Sequence, residues 1–119
     1  MRVLESLSEA SFREASPNSE PLWVDANGRV LRFSLRAGQK IAEHKALSSP
    51  FYVVVVKGRG VFTGGDGSER SVGPDTLLVF DPGENHSVRA EDEELVFVGI
   101  LRGVPGTRAE KTGGTLGRE

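Results

Sequence analysis

The sequence predicts an all-β barrel of about nine short strands, and three observations carry that prediction. Fifteen glycines and six prolines punctuate 119 residues, the turn chemistry of a chain that reverses often. Between these breaks lie short apolar or alternating runs at regular spacing, the signature of a closed sandwich or barrel. The length suits one domain with a real core and is too short for two.

Residues 1–20 are weakly amphipathic. Leu4, Leu7 and Phe12 can share one face of a short helical turn, which Ser16-Pro17-Asn18-Ser19 ends. From Leu22 the texture becomes that of strands. Segments 22–25 and 29–35 flank Ala26-Asn27-Gly28, where Asn-Gly is a strong hairpin signal because both residues tolerate positive φ. Arg36-Ala37-Gly38 turns into a strand over 40–46, and Ser48-Ser49-Pro50 breaks the chain again. The valine-rich run 51–57 calls for burial on both sides or a deep place in a sheet. Gly58-Arg59-Gly60 is a turn, 61–63 a strand, 64–68 a flexible glycine-rich loop and 69–72 the returning strand. Gly73-Pro74-Asp75 turns into 76–81, and Pro82-Gly83-Glu84-Asn85 leads to 86–90. The acidic run 91–94 is an exposed turn before a last strand over 95–101. The expected division is an N-terminal arm over 1–20, a barrel over 21–102, and a tail over 103–119 that is either loose or laid on a partner subunit.

Composition excludes several function classes. Fifteen basic against 17 acidic residues, with no basic stripe interleaved with aromatics, argue against nucleic acid. The longest apolar run, from Phe51 to Val56, is far short of the roughly 20 residues that span a bilayer. The first residues carry no sustained apolar stretch, so no signal peptide is read and a cytoplasmic location is expected. Without cysteine there is no disulfide, thiolate nucleophile or sulfur ligand. The Gly64–Gly67 stretch is followed by neither a lysine nor a helix pattern, so it is not a phosphate cradle.

The chemistry therefore centres on the two histidines, His44 and His86. Alternation puts Ala42, His44 and Ala46 on one face of their strand, and His86, Val88 and Ala90 on one face of theirs. Each histidine lies near a turn, a position suited to the mouth of a barrel. The spacing ties them together: Gly38, five residues, His44, then Gly58 after the valine run; then Gly83, two residues and His86.

This ordered set, over residues 30–101, resembles the two motifs of the cupin family. The resemblance implies a double-stranded β-helix, a jelly-roll-like barrel. In metal-containing members the first motif supplies two histidines and a glutamate and the second a third histidine. The resemblance therefore assigns His44 and His86 as metal ligands, with one divalent ion (Zn, Fe, Mn or Ni) as the implied cofactor. It also implies a homodimer. This chain departs from the pattern: Ala46 stands at the second histidine and Phe51 at the glutamate, seven residues before Gly58. Asp75 replaces the opening glycine of the second motif, Asp81 its proline and Ala90 its closing asparagine.

Two imidazoles alone make a poor metal site, since catalytic zinc has three protein ligands and non-haem iron wants two histidines and a carboxylate. Of the neighbouring carboxylates, Glu43 should point away from His44, and Glu84 reaches in only if its turn curls over the pocket. Exchange of a carboxylate for a phenylalanine makes the interior more apolar. With Ala46, Phe51, Val53, Val55 and Val88 as its expected lining, the pocket suits a small apolar or weakly polar molecule held by neutral histidines. The expected function is a small-molecule binding or sensing barrel. The alternatives are a metal-dependent isomerase or dioxygenase acting on a small organic acid, and a structural or interaction domain.

Overall fold

The computed structural model describes residues 1–103, and the tail expected over 103–119 lies, beyond Gly103, outside the described residues. Among the described residues nine strands follow one another: β1 (Asn18–Asp25), β2 (Gly28–Leu35), β3 (Lys40–His44), β4 (Phe51–Lys57), β5 (Gly60–Thr63), β6 (Glu69–Val72), β7 (Leu77–Phe80), β8 (His86–Ala90) and β9 (Leu95–Arg102). They form a five-stranded sheet in the order β1-β2-β9-β4-β7 and a four-stranded sheet in the order β3-β8-β5-β6. Every pairing is antiparallel. No helix among the described residues is long and apolar enough to cross a membrane.

Alternation explains the core. Leu31, Phe33 and Leu35 of β2 point inward, as do Leu95, Phe97 and Leu101 of β9 and Val53 and Val55 of β4. Phe33 stacks on Phe97 with ring centroids 4.7 Å apart, and Phe62 of β5 meets Phe97 edge-on from the other sheet at 5.4 Å. Each such side chain contributes on the order of 1.5–3 kcal/mol by leaving water. Between β4 and β5, Gly58 has φ +80°, and a Cβ there would run into the Glu94 carbonyl. Asp75, where the family pattern has glycine, holds the same left-handed region with φ 70°, a conformation Asp tolerates better than most residues.

Four expectations need correction. First, β4 takes the deep place in a sheet, between β9 and β7, and not burial on both sides: Phe51, Val53 and Val55 face the core, whereas Val54 is exposed. The outer face of its sheet is open there. Second, the segment before β1 forms no helix beyond a single turn, in which the Ala10 N–H donates to the Leu7 carbonyl at 2.9 Å. Its other bonded carbonyls go to side chains: Arg32 donates to the Glu5 and Glu9 oxygens, Asn18 to that of Ser11, and Gln39 to those of Arg13 and Glu14. Strand β1 also starts earlier than expected, at Asn18, and carries Pro21 as an edge strand can. Third, Asn27 does not adopt positive φ. The Asp25 carboxylate organises that hairpin by accepting the N–H groups of Asn27 and Gly28. Fourth, the pairing of β3 with β8 shifts between Ile41 and His44, a bulge that breaks simple alternation. Ile41 and His44 turn inward, while Ala42 is exposed rather than sharing the face of His44.

Candidate functional site

The bulge brings the two histidines together. His44 at the end of β3 is the register partner of His86 at the start of β8. Their rings meet edge-to-face, centroids 4.4 Å apart at 70°. His86 is buried and His44 half-buried, so His44 is the more exposed ring of the pair.

The backbone sets the tautomer of both rings. His44 Nδ1 lies 2.6 Å from the Ala42 carbonyl oxygen, and His86 Nδ1 lies 3.0 Å from that of Glu84. A carbonyl can only accept, so each Nδ1 carries the proton and donates it. In the neutral ring each Nε2 is then a bare lone pair. Both Nε2 atoms are buried and have no hydrogen-bond partner among the described residues. Burial, and secondarily the neighbouring His44, lower the His86 pKa from 6.5 to about 4. His86 is thus a neutral acceptor over the physiological range.

Aromatic rings surround His86. Phe51 of β4 stacks on it at 5.0 Å and Phe80 of β7 at 4.7 Å, with interplanar angles of 23° and 29°. Phe51 and Phe80 are themselves register partners. The Phe51 ring lies over Gly99 of β9, where a Cβ would come within 2.5 Å of Cε1. Glycine at 99 therefore makes the room in which the ring stacks. Phe80 escaped the sequence reading as a site residue, although inward alternation from Leu78 would have placed it beside Phe51.

The other expected pocket residues are all core residues: Ala46, Val53, Val55 and Val88 are buried with Phe51 in one cluster. Ala46 lies just beyond β3, and its carbonyl accepts the Gly83 N–H at 2.7 Å, tying the two motifs together. The carboxylate of Glu84 is used by its own turn. It accepts the Asp81 N–H at 2.8 Å and the Gly65 N–H at 2.9 Å. These bonds, that of Gly65 first, hold its pKa below the usual carboxylate value. Glu43 points outward, as expected, and lines a cleft of about 340 Å³ on the outer surface of the four-stranded sheet, with Lys40, Glu69 and Arg89.

A family model for the cupin domain matches residues 31–101. The chain belongs to the cupin family. Among solved structures, this cupin is similar to an uncharacterised conserved protein with a double-stranded β-helix domain from Klebsiella pneumoniae (17% identity, 90% of this chain and 94% of that one, TM-score 0.82). It is also similar to an RmlC-like cupin from Desulfovibrio desulfuricans (24% identity, 85% and 96%, TM-score 0.75). A third is a predicted oxalate decarboxylase from Thermotoga maritima (20% identity, 87% and 100%, TM-score 0.73). At these identities the likeness shows the double-stranded β-helix fold. No curated protein matches the sequence.

Metal-containing cupins hold a divalent ion with several side chains, and the residues present do not fit that set. His44 and His86 are held as the Nδ1–H tautomer that leaves Nε2 free for a metal, with Nδ1 bound to a carbonyl behind each. However, no group of three or more His, Cys, Asp or Glu side chains arranged to hold a metal ion occurs among the described residues. Phe51 fills the carboxylate position with a stacked ring, and Ala46 the second histidine position with a methyl.

Proposed function

We propose that this cupin binds a small, weakly polar molecule at the histidine pair, in a sensing or carrier role. The observation that carries the reading is the pair of buried Nε2 lone pairs without partners among the described residues. An unpaired buried acceptor costs on the order of 1–3 kcal/mol, which a ligand donating to it recovers. With each Nδ1 proton committed to a carbonyl, an imidazole here in its neutral form offers only an acceptor, so the pair selects hydroxyl or amine donors over carboxylates. The stacked Phe51 and Phe80 supply an apolar surround for the rest of the molecule. Entry lies beside His44, the more exposed ring. A decarboxylase reading, after the Thermotoga maritima structure, rests on shared fold alone.

The test is a thermal-shift screen with small alcohols, phenols and primary amines, alongside metal analysis of the purified protein. A binder at about 100 times its Kd should add roughly 2.7 kcal/mol of stability. The shift should vanish in His86→Phe, whose ring can stay in the aromatic stack but cannot accept. A panel without stabilisers, or one whose effect survives in His86→Phe, overturns the reading. Stoichiometric Zn, Fe, Mn or Ni, lost in both His44→Gln and His86→Phe, would replace it with the metal-dependent alternative.

A further inference from the structure

The outer face of the four-stranded sheet sets its side chains in two rungs across the strands. In the first, Lys40 of β3 stands opposite Arg89 of β8, and Arg89 opposite Val61 of β5. In the second, Ser87 of β8 stands opposite Thr63 of β5, and Thr63 opposite Glu69 of β6. The β3 bulge places Ala42 and Glu43 together against Ser87. Lys40, Glu43, Glu69 and Arg89 are all exposed. Among the described residues, none of these four makes an ion pair or a side-chain hydrogen bond.

The four charged side chains wall the cleft of about 340 Å³, and the short Ala42, Val61, Thr63 and Ser87 form its floor. Its charges are poorly served by the protein itself. Like charges directly opposite in an antiparallel pair repel, and Lys40 and Arg89 are so placed. The two carboxylates lie one rung away, towards the β3 and β6 edges, and contact neither cation. Between them the Ser87 and Thr63 hydroxyls both donate and accept. The histidine pair lies on the inner side of the same sheet, so a ligand in this cleft does not enter the barrel.

The pattern of charge decides the class of ligand. A plain anion seated on Lys40 and Arg89 meets repulsion from Glu43 and Glu69 across the second rung, and a plain cation meets the reverse. A molecule carrying both signs satisfies both rungs. The rungs are two residues apart, about 7 Å along the strands. Two residues of extended chain span about the same 7 Å, and a single α-amino acid only half of it. We propose that this cleft binds a zwitterion of dipeptide length, its carboxylate on Lys40 and Arg89 and its ammonium between Glu43 and Glu69. The Arg89 guanidinium grips the carboxylate with parallel N–H donors, and Ser87 and Thr63 lie beneath the link between the charges.

A backbone-amide NMR titration of the full chain, with glycylglycine as the probe, tests this. Exposed ion pairs are weak, so half-saturation is expected on the order of 1 mM at low ionic strength, weakening with added salt. The amides of Val61, Thr63, Ser87 and Arg89 should shift together. δ-Aminovalerate, which has the same span without the peptide link, should bind within a few-fold of glycylglycine. Glycine is too short, N-acetylglycylglycine lacks the ammonium and glycylglycinamide lacks the carboxylate; each should bind roughly tenfold more weakly. Arg89→Gln and Glu69→Gln should each weaken glycylglycine by about the same factor. Both residues are exposed, so both variants should keep the wild-type spectrum away from the cleft. No shift at roughly 20 mM glycylglycine, enough to saturate a millimolar site, overturns the proposal. N-acetylglycylglycine binding as tightly as glycylglycine marks a plain anion site and overturns the zwitterion. Glycine binding equally well, or δ-aminovalerate not binding, overturns the span. Undiminished binding in Arg89→Gln or Glu69→Gln overturns the placement of the charges.

Discussion

Acidification from pH 7 to pH 5 should destabilise this protein through His86. The unfolded chain takes up a proton on that ring at about 6.5, whereas burial and the neighbouring His44 hold the folded value at about 4. Between the two values the unfolded state binds more protons, so stability is full above the unfolded value and falls as pH drops toward the folded one. Integration of that difference gives a loss of about 2 kcal/mol between pH 7 and pH 5, and about 3 kcal/mol once pH 4 is reached. In a domain of this size 2 kcal/mol is on the order of 8 °C in Tm. Urea unfolding at half-unit pH steps measures it directly, and carboxylates contribute little to the slope above pH 5. The control is His86→Phe, in which a non-titrating ring takes the place beside Phe51 and Phe80. It should flatten the curve over this window. An equal slope in wild type and His86→Phe, or no slope in either, would refute the assignment of a buried neutral imidazole.

Two further outcomes follow from the same geometry. The double change Ala46→His with Phe51→Glu returns the missing imidazole and carboxylate to the positions the family motif assigns them. It should lower Tm in EDTA, since an unpaired carboxylate then sits in the apolar core, and recover stability with added Zn or Mn; a protein indifferent to metal would show that these positions do not converge on the histidines. Gly99→Ala should cost about 1–3 kcal/mol, because its methyl meets the Phe51 ring at 2.5 Å and Phe33 at 2.9 Å. Combination with Phe51→Leu should recover part of that loss, and strictly additive effects would mean that Gly99 does not make room for the ring.

Much of this fold was legible because its punctuation is local. Gly58, Gly73-Pro74 and Pro82-Gly83 state where the chain turns, and all nine strands lie within a few residues of where those breaks put them. The linkage of His44 to His86 was legible from motif spacing, and the structure makes them register partners. What was not legible depends on partners distant in sequence. The bulge at Ala42-Glu43 adds one residue to β3 relative to β8 and leaves no mark in composition, so simple alternation misplaces Ala42. The exposure of Val54 depends on what lies over its sheet, which no property of a valine run reveals. The arm is tied down by Arg32, 27 and 23 residues beyond the Glu5 and Glu9 carbonyls that it binds, and no local pattern reveals that partner. The role of Phe80 arises from its pairing with Phe51, itself a consequence of strand order.

The proposed binding site rests on two imidazoles whose Nδ1 protons are held by carbonyls and whose Nε2 atoms are bare. Nitrogen-15 NMR of the histidine side chains at pH 8 tests it most directly, since protonated and bare ring nitrogens differ widely in shift. His44 and His86 are expected both to carry their proton on Nδ1, with both Nε2 signals those of an unprotonated nitrogen. A proton on Nε2 of either ring would contradict it.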